Sequence, residues 1–446
     1  MKIENIFVFI ALFFGLLYVF ILPPFQSVDE SMHFYRTYQI SSGRFTAQNI
    51  DGKIGGHLPL SLSNFYADYA PFIKNIDKKT NLREIKRNFE RKLEKDRTVF
   101  TEFPNTSLYS PVCYISQAAG VLPAMTAGLG PAAVFYAGRI TNLLFYCLLV
   151  YFAIKTIPFF KLPMFLLALM PLSLSLGSAF TSDVAVLGLN FLWIAFILKI
   201  LAGSRSRSDF AVLIPLALLI SLSKSYILLL PLILLLPMNI FKNRKQYLLF
   251  LSGVIFTALA GGFIWYLQSK GLTLNMSYIA DSAAQVEFIK AHPVFYLGVL
   301  LKTFIVKTPR LFITMIGVLG WQDTRLDFLT YILYPVLMYF AVVSDNFNFQ
   351  LQRRQKALIF AVLVFGVCIT YTSLYLMWSP VGNPVVLGLN GKYFIPLALP
   401  ALLLFKNNRA VFDYEKVKTA VIIMVILILF SSELSLLHRF YDITPQ

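Results

Sequence analysis

Charged residues are scarce in this chain of 446 residues. Only 14% of them are Asp, Glu, Lys or Arg, and 57% are hydrophobic, whereas a soluble domain carries about 25% charged residues. The deficit is concentrated in apolar runs such as residues 250–267 and 420–437. These runs approach the roughly 20 residues that a helix needs to cross a bilayer. The composition therefore excludes a soluble protein and predicts an all-α polytopic membrane protein.

Cysteine is nearly absent, and recognisable metal and nucleotide motifs are missing. Cys113, Cys147 and Cys368 all lie in apolar segments, and their odd number implies neither a disulfide framework nor a metal cluster. His57 and His292 have no partners at metal-ligand spacing, and no Walker loop or dinucleotide fingerprint occurs. The absence of a nucleotide motif fits a substrate that arrives attached to a lipid.

Positive charge predicts the topology. The chain has 39 basic and 22 acidic residues, a net charge of +17. Short loops of membrane proteins that are rich in Lys and Arg lie in the cytoplasm, where anionic lipid headgroups attract them. We therefore expect contacts with membrane lipids and no nucleic-acid partner. Such loops lie near residues 155–161, 199–207, 242–245, 353–356 and 406–418. On the opposite side of the membrane we then expect residues 181–183, 223–225, 268–292, 320–327 and 379–392.

This alternation gives a single transmembrane domain over residues 1–446 with about 11 spans. Residues 1–22 are predicted to form an uncleaved first span with a cytoplasmic N-terminus. Residues 23–107 follow as a long extracytoplasmic loop with juxtamembrane helices, since loops beyond about 60 residues escape the charge rule. Residues 108–128 are expected to form a juxtamembrane or re-entrant helix. Residues 293–319 are ambiguous because Lys302, Lys307 and Arg310 interrupt them.

The first loop contains a strongly amphipathic stretch, residues 82–97. Leu82, Ile85, Phe89 and Leu93 recur at helical spacing among basic residues, which predicts one helix. It is either a helix lying on the membrane surface or a basic lid over a phosphate-bearing substrate.

The segment PPFQSVDESMHFYR, residues 23–36, carries the most chemistry. Ser27 is a plausible N-cap with Glu30 at the capping-box position, and Asp29, His33 and Arg36 share one helical face. Capping explains Glu30 without any function, and helix-dipole complementarity or pairing with His33 or Arg36 explains Asp29. The alternative is that Asp29 acts as a general base and Glu30 as a supporting acid. A divalent cation, Mg²⁺ or Mn²⁺, at these two acids is left open.

Five motifs in order resemble the DUF2142 family of predicted bacterial membrane proteins. The first is the segment just described, and Gly138-Arg139 with Asn142 is the second. The others are Pro171 with residues 178–183 (SAFTSD), residues 317–324 (GVLGWQDT) and residues 388–396 (GLNGKYFIP). The last reads G-R-Y-F in relatives, so Lys392 is a departure that keeps the charge and loses bidentate phosphate geometry.

That family is in turn similar to the GT-C glycosyltransferases, multi-span enzymes that use polyprenyl-phosphate sugars and carry an acidic motif just after the first span. The resemblance implies a GT-C-like fold in a bacterial inner membrane. It also implies transfer of a sugar from a polyprenyl-phosphate donor to a glycan, lipid or protein acceptor outside the cytoplasm. Asp29 and Glu30 stand where the acidic motif would be.

The expected substrate-binding residues are those that the predicted topology brings to the outer side. Arg36, Arg139, Lys224 and Lys392 are candidates for the donor phosphate, although a single basic residue at an interface also snorkels without function. The full set is His33, Arg36, Arg139, Asp183, Lys224, Asp323, Arg325, Lys392 and Tyr393. Three alternatives remain open: a transporter or flippase for a lipid-linked glycan, a polysaccharide polymerase or ligase, and a non-catalytic scaffold.

Overall fold

The computed structural model describes residues 1–223, 227–272, 280–406 and 412–442, and this part of the chain is mostly helical, as an all-α membrane protein requires. The α-helices are α1 (Ile3–Ile21), α2 (Glu30–Ser41), α3 (Leu60–Tyr69), α4 (Leu82–Phe89), α5 (Pro104–Ser107), α6 (Ile115–Thr126), α7 (Pro131–Thr156), α8 (Lys161–Ala168), α9 (Pro171–Gly177), α10 (Asp183–Leu201), α11 (Arg207–Leu222), α12 (Arg244–Ser269), α13 (Ser282–Ala291), α14 (Pro293–Gly317), α15 (Phe328–Val343), α16 (Arg353–Trp378), α17 (Ile395–Leu403) and α18 (Tyr414–Phe440).

Within the described residues, 6 helices are long and apolar enough to cross a membrane: α1, α7, α10, α12, α16 and α18. The pair α13 and α14, bent by 109°, would make a seventh if it were one span. Helix length therefore does not confirm the expected count of about 11. Other apolar segments form shorter helices with internal prolines, for example Pro215 in α11, Pro335 in α15 and Pro400 in α17. Proline removes a helical hydrogen bond and disrupts the preceding turn.

The bundle has two faces that the contacts define. α1 and α18 pack side by side in the same direction, with the Tyr18 hydroxyl 2.6 Å from Ser432 Oγ. We call the face where these two helices begin the lower face and the face where they end the upper face. Just before α18, Lys406 pairs with Asp345 at 3.0 Å on the lower face. α16 begins a few residues after Asp345, so it also runs from the lower face to the upper face.

The segment between α1 and α7 covers the upper face. It contains α2 to α6 and a small antiparallel sheet of β1 (Gln48–Ile50), β2 (Lys53–Pro59) and β3 (Thr98–Glu102). β2 is the central strand, with Gly55 opposite both Gln48 of β1 and Glu102 of β3. A second hairpin, β4 (Val318–Leu319) and β5 (Thr324–Arg325), joins α14 to α15.

The prediction of one helix over residues 82–97 is wrong beyond Phe89, where α4 ends. The following residues make side-chain and backbone contacts with α3 instead. Arg91 pairs with Asp68 at 2.6 Å, and the Arg97 carbonyl accepts a hydrogen bond from the Leu60 amide at 2.8 Å. Residues 90–97 therefore form turns and irregular backbone, and β3 begins directly after them at Thr98.

The core is densest around α7 and α10 and thins toward α12 and α16. In α10, 72% of the apolar window is buried, whereas the corresponding values are 17% for α12 and 22% for α16. Exposed side chains such as Phe256 on α12 and Phe360 on α16 suit a lipid-facing surface. α12 and α16 therefore form the outer wall of the bundle next to the cavity described below.

Candidate functional site

The chain makes a tight turn between α1 and α2, and Asp29 ends that turn. Its backbone is left-handed, with φ 59°, and it precedes the first residue of α2. Aspartate tolerates this conformation better than most side chains do. The Asp29 side chain is half-buried and borders a cavity. Among the described residues its carboxylate has no hydrogen-bond or ion-pair partner, so its oxygens are available to a ligand or to water.

Glu30 adopts a different environment from its neighbour. It is fully buried, and its carboxylate forms a bidentate pair with Arg139 at 2.8 and 2.7 Å. The Phe180 amide donates to the same carboxylate at 3.0 Å, and the Ser27 amide does so at 3.4 Å. The Ser27 contact is one half of the expected capping box, although the helix begins at Glu30 itself. We therefore revise the role of Glu30 from a supporting acid or metal ligand to a structural anchor.

Arg139 is likewise revised from a phosphate ligand to a structural residue. It is fully buried in α7. Besides the pair with Glu30, its guanidinium donates to the carbonyls of Val19, Leu22 and Pro23 at 2.9, 2.6 and 3.2 Å. These carbonyls belong to the end of α1, where helical partners are lacking. Arg139 thus ties the end of α1 to α7 and has no donor left for a phosphate.

Arg36 points away from the cavity and holds a neighbouring loop. It is fully buried and donates to the carbonyls of Phe45 at 2.7 Å and Tyr109 at 3.3 Å, as well as to Gln39 Oε1. Burial lowers the pKa of the Arg36 guanidinium to about 10, so it stays protonated at neutral pH. Arg36 therefore positions the backbone around Tyr109, and the expected contact with a donor phosphate does not fit this geometry.

His33 lies one helical turn after Asp29 and borders the same cavity. Its Nδ1 is 2.9 Å from the Tyr114 hydroxyl, and its ring stacks on Tyr109 with centroids 6.2 Å apart. These contacts fix the imidazole at the cavity that Asp29 also borders. The backbone of α2 adds to this arrangement, because the His33 amide donates to the Asp29 carbonyl at 3.1 Å.

Lys392 and Tyr393 border the cavity from the opposite part of the sequence. Lys392 Nζ lies 2.9 Å from Asp183 Oδ2, and both side chains are about nine-tenths buried, with 12% and 10% exposed. Asp183 begins α10 and also accepts a hydrogen bond from the Thr181 hydroxyl at 2.9 Å. The predicted substrate-binding residues Asp183, Lys392, Tyr393 and His33 are thus brought together with Asp29 at one level of the bundle.

Gly391 sets the position of Lys392. It lies in the 3₁₀ turn Gly391–Phe394, directly against α14, and its amide donates to Thr314 Oγ1 at 3.0 Å. A Cβ at this position would lie 2.1 Å from the Met315 amide nitrogen, so a side chain would push the turn off α14. The glycine before Lys392 is therefore required by close packing between backbones.

The cavity has a volume of about 410 Å³, within the range of small-molecule sites. Asp29, His33 and Lys392 give it a polar part. Its walls come from α12 and α16, residues 105–110 in and after α5, the end of α11, and Leu228. The wall residues are Asn105, Thr106, Leu108, Tyr109, Ser110, Ser221, Leu222, Leu228, Gly262, Trp265, Ile369, Thr370, Ser373, Leu374, Met377 and Trp378. The arrangement offers charged groups on the bundle side and an apolar, aromatic wall on the lipid-facing side.

Three of the expected residues are placed elsewhere or are not described. Asp323 pairs with Arg439 at 2.7 Å and so closes the β4–β5 hairpin onto the end of α18. Arg325 is exposed on β5, away from the cavity. Lys224 lies outside the described residues. The β4–β5 hairpin is therefore an anchor for α18 on the upper face, and Asp323 and Arg325 do not belong to this cavity.

Sequence reasoning missed the aromatic wall. Trp265 and Trp378 stand at the upper ends of α12 and α16, where tryptophan ordinarily marks the membrane interface. The Trp265 indole donates to the Leu108 carbonyl at 2.7 Å, which fixes its ring beside the loop that carries Tyr109. In the sequence, the only available signal was two tryptophans at the ends of apolar runs, and that signal predicts interfacial anchoring.

The chain matches a known family at the level of its sequence. A family model described as a predicted membrane protein, DUF2142, matches residues 12–401. No curated protein matches the chain, and no solved structure does.

Proposed function

The chain belongs to the DUF2142 family of predicted membrane proteins, and we propose that it is a glycosyltransferase. The reaction would move a sugar from a polyprenyl-phosphate donor to a hydroxyl of a glycan, lipid or protein acceptor. One observation carries the proposal. A carboxylate that no described side chain engages borders a cavity that a buried cation and an apolar wall also border.

Asp29 would be the general base. Sugar transfer to a hydroxyl requires removal of the hydroxyl proton, and a carboxylate within hydrogen-bond reach of that hydroxyl can accept it. Glu30, the adjacent acid, cannot share this role because its oxygens are occupied by Arg139 and two amides. His33 would position the acceptor beside Asp29, because Tyr109 and Tyr114 hold its ring at the cavity.

Lys392 would stabilise the departing phosphate. As the bond between the sugar and the phosphate breaks, negative charge increases on the phosphate oxygens, and a fixed cation nearby lowers the energy of that state. The ion pair with Asp183 holds the Lys392 ammonium at the cavity. The apolar residues on α12 and α16 suit the first isoprene units of the donor.

We also propose the topology that this reaction needs. Short or broken apolar helices, namely α8 with α9, α11, residues 227–240, α15 and α17, would complete 11 crossings together with the six long helices. The lower face, which carries the basic loops around Lys161, Lys199, Arg244 and Arg353, would be cytoplasmic. The N-terminus would then lie in the cytoplasm of a bacterial cell, and the cavity would open on the opposite side of the inner membrane.

A reconstituted assay tests the reaction directly. The purified full chain in vesicles would receive a panel of radiolabelled polyprenyl-phosphate hexoses together with cell-envelope acceptors. We expect labelled product and free polyprenyl phosphate from one member of the panel. Movement of the intact donor across the bilayer with no cleavage would contradict transfer and would favour a transporter.

Replacing Lys392 tests the phosphate contact. Lys392→Met should lower the transfer rate by about 100-fold, since removal of one oxyanion-stabilising group typically costs about 10² to 10³ in turnover. Lys392→Arg keeps the charge and the pairing with Asp183, and it should retain most of the activity. Both variants are assayed by the rate of donor cleavage. The control is Lys92→Met, which replaces an exposed lysine of the first loop. Equal rates for Lys392→Met and wild type would contradict a role for this cation.

A further inference from the structure

Both ends of α14 lie at the upper face. Near its beginning, the Tyr296 hydroxyl lies 2.5 Å from Thr372 Oγ1 and its ring stacks on Tyr375, and both partners belong to the last two turns of α16, toward the upper face. Near its end, Gly391 donates to Thr314, and the hairpin after α14 contacts Arg439 at the upper end of α18. A helix of 25 residues, about 37 Å long, therefore runs along the upper face instead of crossing the bundle.

The composition of α14 agrees with that placement. It contains three cations, Lys302, Lys307 and Arg310, and no acidic residue. Among the described residues none of the three has an ion-pair partner. Each charge placed at the centre of a bilayer costs about 2.5 to 3.5 kcal/mol or more, so three unpaired cations oppose a transmembrane position.

The side chains of α14 divide between two sides of the helix. Thr314 is buried against Gly391 and Thr303 against Val386, and Val299 is buried in a cluster that contains Val386 and Tyr371 of α16. Leu297, Leu301, Phe304 and Ile305 are exposed, each by more than half of its surface. An apolar exposed side next to cations is typical of helices that lie in the membrane interface with their apolar side among the acyl chains.

We infer that α14 lies in the membrane interface of the upper face and binds anionic phospholipid headgroups through Lys302, Lys307 and Arg310. The bend of 109° before α14 then marks the change from α13 to an in-plane helix, and the pair is not a span. The function of α14 would be to hold the turn that carries Lys392 at a fixed depth, since Gly391 packs directly on α14. This inference stands whether or not the protein transfers a sugar.

Spin-label depth measurements test the orientation. Val294, Leu301 and Phe312 are exposed and lie within about 20° of one another around the helix, at 100° per residue. Each would be replaced by cysteine in a chain whose native cysteines are changed to alanine, then labelled in lipid nanodiscs. We expect similar, shallow depths from the ratio of oxygen to nickel-complex accessibility. Depths of Val294 and Phe312 that differ by about 27 Å, as in a perpendicular helix, would overturn the inference.

Native mass spectrometry of the full chain tests the lipid contact. The triple variant Lys302→Gln, Lys307→Gln, Arg310→Gln should bind phosphatidylglycerol about 100-fold more weakly than wild type, with no change for phosphatidylcholine. The control variant Lys92→Gln, Lys95→Gln, Arg97→Gln removes the same charge from exposed positions of the first loop and should bind as wild type does. Unchanged phosphatidylglycerol binding in the α14 variant, or an equal loss in the control, would overturn the headgroup contact.

Discussion

The variant Asp29→Asn is expected to lose transfer activity by about 10² to 10⁴-fold, which is the usual contribution of a general base. The amide has nearly the same shape but cannot accept the acceptor's proton. Folding should be unaffected, because the Asp29 carboxylate has no partner among the described residues and asparagine tolerates the left-handed backbone at φ 59°. The transfer rate and the elution profile in detergent measure the two effects.

Asp51 provides a matched control for that substitution. It also has a left-handed backbone, with φ 51°, and it lies exposed in the turn between β1 and β2, outside the cavity. Asp51→Asn therefore makes the same chemical change in the same backbone conformation. It should leave the rate as in wild type. Full activity of Asp29→Asn, or an equal loss in both variants, would remove Asp29 from the mechanism.

Breaking the buried pair between Glu30 and Arg139 should cause the largest loss of stability. Arg139→Met leaves the Glu30 carboxylate fully buried without its cation, and such a loss costs about 3 to 5 kcal/mol. It also removes the donors to the carbonyls that end α1. We expect a clear drop in the thermal unfolding midpoint of the detergent-solubilised protein.

The double variant Glu30→Gln, Arg139→Met separates charge from packing. It removes the buried charge of Glu30 that Arg139→Met leaves without a partner, and it keeps an acceptor for the Phe180 amide. The double variant should therefore recover part of the lost stability. The exposed pair of Lys290 with Glu287 is the control, because breaking an exposed pair has little effect. An unfolding midpoint of Arg139→Met equal to that of wild type would contradict the anchoring role.

The sequence places two acids in one segment but does not distinguish their environments. Asp29 and Glu30 are adjacent, and both stand just after the first span. Their environments differ because Glu30 pairs with Arg139, which lies 109 positions away along the chain. No local pattern reports a contact of that separation. A buried Arg and a phosphate-binding Arg look the same in a sequence, so Arg36 and Arg139 were both expected at the cavity.

Several expectations about α-helices depended on tertiary contacts in the same way. The amphipathic spacing of residues 82–97 predicts one helix, but α4 ends at Phe89, and Arg91 and Arg97 make contacts with α3 instead. The charges in residues 293–319 make the crossing ambiguous, and the contacts of Tyr296 and Thr314 show that both ends share a face. The alternation of basic loops predicts that Asp183, Lys392 and Tyr393 share one side, whereas the ion pair between Asp183 and Lys392 follows from no local pattern.

Density for a bound donor is the most direct measurement. The full chain in nanodiscs would be imaged by cryo-electron microscopy with a non-cleavable polyprenyl-phosphate sugar analogue. We predict phosphate density at hydrogen-bond distance from Lys392 Nζ, the sugar beside Asp29, and the prenyl chain along α12 and α16. A donor phosphate bound at the lower face, or outside the cavity that Asp29 borders, would contradict this prediction.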